Sequence, residues 1–287
     1  MTSAAILKEI EGLDFYKQFF DEEIYEDGRG LDEDRAYVIK TGLDSEAVGS
    51  AYVQYQGSTV SCKVIAKAGY TNKSQCLKFK LERSNCVPKR EFDFVRGVLQ
   101  ELTDQNAFVE PLSMVFDVEY QVQLKITLTI NTCDGFLLGA VLMAANSALL
   151  NTRLVELTSS VEETDDPVTR IRFIRRKNPF RANFDKMNSL NIETLLFYTG
   201  ILVIDSDEGE EPLLLCDPPE DLVKRVRKRV DLILDSDGTI RFWQNSGFDG
   251  IDAQFRRKVY ELAKNRQETA TEMLNKVRVD GHADSEL

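Results

Sequence analysis

The only histidine in this chain is His282, in a polar C-terminal stretch. Nucleophilic relays of the Ser-His-Asp or Cys-His kind need an imidazole beside the nucleophile, so the sequence argues against them. It argues equally against a histidine-rich zinc site. The five cysteines are Cys62, Cys76, Cys86, Cys133 and Cys216. None are spaced as metal-binding pairs, and an odd number fits free thiols in a reducing compartment. What remains is fixed charge. Arginines and carboxylates recur in short motifs: Asp27-Gly28-Arg29 with Arg35 close behind, Asp134-Gly135, and Asp217.

Two basic runs could meet a polyanion. The denser is Lys224-Arg225-Val226-Arg227-Lys228-Arg229, in which Lys224, Arg225, Arg227, Lys228 and Arg229 are candidate contacts to an RNA backbone. A solvated strand edge is the plainer reading, since Lys and Arg blunt exposed edges. The second run, residues 170–177, alternates Arg170 and Arg172 with apolar residues and reads as a half-buried strand with a basic face. Against both stands a net charge of −12, which repels phosphate unless a local patch offsets it. The acidic stretch 206–211 imitates a metal loop but reads more simply as a solvated turn. Trp243 and Tyr260 read as core or interface residues.

The elements that must hold these groups follow from periodicity. Ile6, Ile10, Leu13, Tyr16 and Phe20 predict a packing helix over 6–20. Gly49-Ser50-Ala51 opens a strand, and Gly57 precedes a second β-branched run, which makes a hairpin. Residues 66–90 show no clear period and read as a long loop or irregular extension. A helix follows over 89–102. From 121 to 131, Val122, Leu124, Ile126, Leu128 and Ile130 alternate with polar residues, the pattern of a half-buried strand. Asp134-Gly135 turns the chain into an Ala-rich helix over 137–149 that is apolar nearly all round, and so buried.

An acidic, proline-ended break at 162–167 marks a domain boundary. Beyond it the same order returns: a hairpin at 201–204 and 213–216, a strand at 230–234, an Asp237-Gly238 turn into 240–243, and a long amphipathic helix. This is a weak internal duplication of pattern. The sequence thus divides into an N-terminal helical extension (1–22), two α/β halves (23–160 and 168–279) and a polar tail (280–287). No apolar run approaches the ~20 residues that span a bilayer. The first nine residues lack the basic region and apolar core of a secretory signal.

Taken in order, Asp27, Arg29, Arg35, Gly49, Ser50 and Gly57, then strand 122–130, Asp134-Gly135 and the small-residue helix, resemble the ribonuclease PH family. The likeness spans most of the chain and is strongest over 13–64. Asn151-Thr152-Arg153-Leu154, Leu214-Leu215-Cys216-Asp217-Pro218 and the segment 13–20 are similar to non-catalytic ring subunits of the RNA exosome. The resemblance implies an α/β (α+β) ribonuclease PH-like fold of two sheet-plus-helix halves, of the ribosomal protein S5 domain 2-like type. It implies a hetero-hexameric ring with other ribonuclease PH-like subunits, S1/KH cap subunits, RNA in a central channel and a separate hydrolytic nuclease. It implies residence in nucleus, nucleolus and cytoplasm, no membrane, and no cofactor or metal.

The same resemblance implies that catalysis is lost. Active members carry Gly-Gly-Thr-Arg after the Asp of the Asp-Gly pair, and that Arg holds phosphate. Here the run is Gly135-Phe136-Leu137-Leu138, so Leu138 stands at the Arg position. Active members use two Asp residues six apart; Asp217 matches the first, and Val223 stands at the second, with Asp221 nearby. Asp93 stands near the place of a further RNA-binding Arg. Asp27, Arg29 and Arg35 then read as framework. The alternative is an active phosphate-dependent 3′–5′ exoribonuclease in a different register.

Overall fold

The computed structural model describes residues 8–70, 76–108, 120–159, 180–190, 192, 194–205, 211–248 and 250–283. The expected N-terminal helix is interrupted. Residues 8–11 are helical, Gly12 (φ +64°) breaks the run, and α1 (Asp14–Phe20) follows. Burial of Phe15, Tyr16 and Phe20 holds α1 down, while Ile10 stays exposed.

The first sheet has five strands in the order β1-β2-β3-β5-β4. They are β1 (Val38–Thr41), β2 (Gly49–Tyr55), β3 (Ser58–Tyr70), β4 (Leu77–Arg83) and β5 (Tyr120–Thr132). The β2–β3 hairpin closes on Gln56-Gly57, both at positive φ, which matches the right-handed twist of the flanking strands. β4 corrects the sequence expectation of a loop over 66–90. Leu77, Phe79 and Leu81 face the core beside Leu124, Ile126 and Leu128, and β4 runs parallel to β5 as an edge strand. Helix α2 (Lys89–Asp104) follows, burying Val95, Val98, Leu99 and Leu102 at helical spacing.

Helix α3 (Leu138–Leu150) is buried along nearly its whole length, as its all-round apolar sequence requires. It packs on β2 and β3 on one side and on β8 (Leu196–Ile204) of the second sheet on the other. That sheet has four strands ordered β11-β10-β8-β9. The others are β9 (Leu213–Cys216), β10 (Lys228–Asp235) and β11 (Ile240–Ser246). Between β9 and β10 the chain makes a short helix, α4 (Glu220–Arg225). Between the two sheets in sequence lies a two-stranded ribbon, β6 (Arg153–Ser159) with β7 (Phe180–Ser189).

The last helix, α5 (Ala253–Ala283), continues through four residues assigned to the polar tail by sequence. Val259 and Ala263 pack on β8 and β10, while Ala270, Met273 and Leu274 join the core of the first half. α3 and α5 therefore bind both halves to each other. The proposed break at 162–167 and the run 170–177, with Arg170 and Arg172, lie outside the described residues. No helix among the described residues is long and apolar enough to cross a membrane.

A locked carboxylate at the candidate active site

The turns that leave β5 and β9 meet. Asp134 and Gly135 follow β5, and Asp217 and Pro218 follow β9. A Cβ at Gly135 (φ +104°) would overlap the Pro218 carbonyl oxygen, so only glycine lets these turns approach. Asp134 Oδ1 accepts the Glu220 amide at 2.8 Å, fixing the start of α4 beside them.

Arg35 sits at the centre of this meeting. Its Nη2 donates to Asp217 Oδ1 at 2.6 Å, its Nε to Asp217 Oδ2 at 3.0 Å, and its backbone amide to the same oxygen at 2.7 Å. Nη1 pairs with Asp134 Oδ2 at 2.7 Å, and Nη2 also donates to the carbonyls of Asp134 and Gln56. Gly57 leaves room for the guanidinium, because a Cβ there would overlap it. Arg29 adds a weaker pair to Asp217 at 3.4 Å and binds Asp27 at 2.8 Å. The motif Asp27, Arg29 and Arg35 is thus a clamp across sequence, closed on a residue 182 positions away.

Asp217 has no exposed side-chain surface and sits at φ +47°. Burial pushes its carboxyl up from the usual range, and the bonds from Arg35 oppose that shift. Burial pulls the Arg35 guanidinium down, and Asp217 more than restores it. The charged pair is the state these contacts favour. Both carboxylate oxygens accept from Arg35, Oδ1 once and Oδ2 twice, which commits this buried carboxylate to the guanidinium.

The expected phosphate position is filled with hydrocarbon. Phe136, Leu137 and Leu138 are all fully buried at the start of α3. Phe136 lies 4.4 Å beneath the Arg229 guanidinium and edge-on to Tyr198. An anion there would lose its hydration with no cation free to replace it. Val223 and Asp221 lie on α4. Val223 packs against the core, and Asp221 accepts from Tyr16 at 2.7 Å and Arg225 at 3.1 Å. Asp93 is exposed on α2. Among the described residues no three His, Cys, Asp or Glu side chains converge as a metal site.

The basic run 224–229 does not form one surface. Lys224 pairs with Glu220, Arg225 with Asp221, and Lys228 with Asp205. Arg229, offered by sequence as an RNA contact, points inward. Its side chain is 11% exposed and pairs with Glu91 at 2.5 Å and Asp231 at 2.8 Å. Tyr198 completes that group with a 2.5 Å bond to Asp231. Arg227 alone of the five is exposed with no partner among the described residues. Gly49 and Ser50 support the scaffold. A Cβ at Gly49 would overlap Thr152 and the Ala148 carbonyl, and the Ser50 amide donates to Asn151 Oδ1 at 3.3 Å.

Residues 33–154 match the model of the 3′ exoribonuclease family, domain 1. Two solved structures resemble the whole chain. One is the Archaeoglobus fulgidus exosome with RNA bound to the active site: 19% identity, TM-score 0.68, covering 93% of this chain and 99% of that one. The other is an archaeal exosome core: 20% identity, TM-score 0.66, covering 95% and 98%.

The fold is the ribonuclease PH fold. Within it, the clamp on Asp217 joins one half to the other, because Arg29 and Arg35 come from the segment before β1 while Asp217 follows β9. Leu138, which sequence reasoning set at the phosphate-arginine position, is fully buried. Sequence reasoning missed the Asp217–Arg35 pair and the Glu91–Arg229–Asp231 group. Glu91 and Asp231 sit on a helix and a strand that read as amphipathic or apolar, and nothing local marks them as partners.

Proposed function

We propose that this chain is a non-catalytic, ring-building subunit of an exosome-type assembly. In this reading it pairs with ribonuclease PH-like subunits of the other lineage in a hetero-hexameric ring. It helps line the RNA channel, beneath S1/KH cap subunits and beside a separate hydrolytic nuclease, in eukaryotic rRNA maturation and mRNA turnover. Its compartments would be nucleus, nucleolus and cytoplasm.

One observation carries the non-catalytic part. The Phe136-Leu137-Leu138 run, expected at the phosphate position, is buried, and Asp217, expected as the one matching carboxylate, is paired with Arg35. Phosphorolysis needs a held phosphate and a means of charge stabilisation at the scissile bond. The likeness of nearly the whole chain to chains of an archaeal exosome and an archaeal exosome core supports the assembly.

The test uses the purified chain, end-labelled RNA and inorganic phosphate. No nucleoside diphosphate should be released, and tagged chain should co-purify with other ribonuclease PH-like subunits. Phosphate-dependent release abolished by Asp217→Ala would overturn the non-catalytic reading and establish the active exoribonuclease instead.

A further inference from the structure

The five-stranded sheet buries one face under α2 and α3 and leaves the other uncovered among the described residues. Register fixes what that outer face carries. Lys40 lies on β1, Lys63 and Lys67 on β3, Lys125 on β5, and Lys78 and Lys80 on β4. Glu82 is the only acidic residue on those strands facing the same way.

Five of these lysines gather at one end. Lys125 stands directly beside Lys78, and Lys63 and Lys80 flank Thr127 on either side. Lys67 is two positions beyond Ile65, which neighbours Lys125. With strands about 4.8 Å apart and about 3.3 Å per residue, the group covers roughly 10 by 13 Å. Lys63 is neutralised by Asp44 and Glu46, and Lys80 by Glu82. Lys67, Lys78 and Lys125 make no ion pair among the described residues. Like charges side by side on a sheet repel. Here they do so on a chain whose net charge is −12.

We infer that this lysine-bearing face binds the sugar-phosphate backbone of single-stranded nucleic acid without reading its sequence. The chemistry of the face decides among polyanions. Between Lys63 and Lys80 lies the hydroxyl of Thr127, a donor for phosphate oxygens, with the Ser61 hydroxyl beside them. A protein partner would call for an apolar or aromatic centre, and a membrane for inserting side chains. Ile65, half-buried, is the only large apolar residue amid these lysines. Tyr52, half-buried between Lys40 and Ser61, is the one aromatic on this face of the described strands, and a single ring offers no platform for successive bases, so the contact is mainly electrostatic and sequence-blind. The surface lies apart from the Asp217 clamp and from the run 224–229. The inference does not depend on the ring or on loss of phosphorolysis.

The test is fluorescence anisotropy of a labelled 20-nucleotide oligo(U) with the full chain over a salt series. The wild type should bind at low salt with a steep slope. Lys67→Gln/Lys78→Gln/Lys125→Gln should weaken binding at least tenfold and flatten the log–log salt slope by about 2, at ~0.7 for each phosphate no longer neutralised. The matching triple Lys→Arg variant should keep both, and unchanged circular dichroism confirms the fold of each. An oligo(A) of equal length should bind within a few-fold of oligo(U). Failure of the wild type to bind at low salt, or an unchanged slope in the Gln variant, overturns the inference. So does loss on Arg227→Gln alone. Equal displacement by poly-glutamate would assign the face to an acidic protein, and capture by phosphatidylserine vesicles in preference to oligo(U) would assign it to a membrane; each overturns the inference.

Discussion

At the scale of single residues, the consequence of the clamp is energetic. Asp217 is fully buried and Arg35 mostly so. Removing one member of a buried pair strands the other charge, at about 3–5 kcal/mol. Arg35→Ala should therefore lower the urea midpoint by an amount worth that much, with the denaturant slope unchanged. Neutralising both ends, as Arg35→Met with Asp217→Asn, should recover a large part of the loss; Asn also tolerates the positive φ at that site. If the double variant is no more stable than Arg35→Ala, the pair is not the source of the cost. Leu138 makes the converse point. Its side chain has no exposed surface and opens a helix packed between two sheets. Leu138→Arg should destabilise the chain by several kcal/mol. It should not restore phosphate-dependent RNA cleavage, because no second cation and no free carboxylate await the anion. Measured activity in that variant would refute this account of the site.

At the scale of elements, the short helix α4 ties the N-terminal helix to the second half. Asp221 accepts from Tyr16 of α1 at 2.7 Å and from Arg225 of its own helix at 3.1 Å. Burial alone would raise the Asp221 carboxyl, but the bonds from Arg225 and Tyr16 outweigh it and hold it below the ordinary aspartate range. A carboxyl lowered in the folded state contributes stability above its unfolded value and loses it as pH falls through the folded one. The attachment of α1 should therefore hold at neutral pH and weaken as acid carries the carboxyl through its lowered range. Hydrogen exchange of the amides of α1 against pH reads this directly. In Asp221→Asn the acid-dependent step should vanish. Tyr16→Phe should cost about 1–2 kcal/mol at neutral pH.

Legibility varied among elements for reasons visible in their residues. β5 and α3 were plain, because one alternates strictly and the other is apolar all round. β4 was missed although Leu77, Phe79 and Leu81 alternate with Lys78, Lys80 and Glu82. Seven residues at a sheet edge give a weak signal, and the lysines on either side drowned it. α4 was missed because it is one and a half turns long. Its acidic first turn and basic last turn are the dipole signature that would have found it. In the site, Arg29 and Arg35 stood out from their motif. Their pairing with Asp217 did not, because a separation of 182 residues leaves no local trace.

At the scale of the whole molecule, the two halves repeat an order of elements but do not stand alone. α3 lies between both sheets, and α5 begins on the second and ends in the core of the first. Buried charges bridge the same boundary. Arg229 of β10 reaches Glu91 of α2, Arg266 of α5 reaches Asp34 and the Asp32 carbonyl, and Arg35 reaches Asp217. Opening one half would expose one face of α3 and part Arg229 from Glu91, Arg266 from Asp34 and Arg35 from Asp217. A state with one half folded is therefore disfavoured by both hydrophobic and electrostatic terms. The chain should unfold as one cooperative unit despite its length. Trp243, the only tryptophan, lies on β11 and reports the second half by its fluorescence. Cys62 lies on β3, where burial pushes its thiol up to about 12, so its alkylation at pH 8 reports opening of the first. In urea the two signals and far-ultraviolet circular dichroism should trace one transition with a common midpoint. A tryptophan transition separated from that of Cys62 would show that the shared helix and the bridging pairs do not couple the halves.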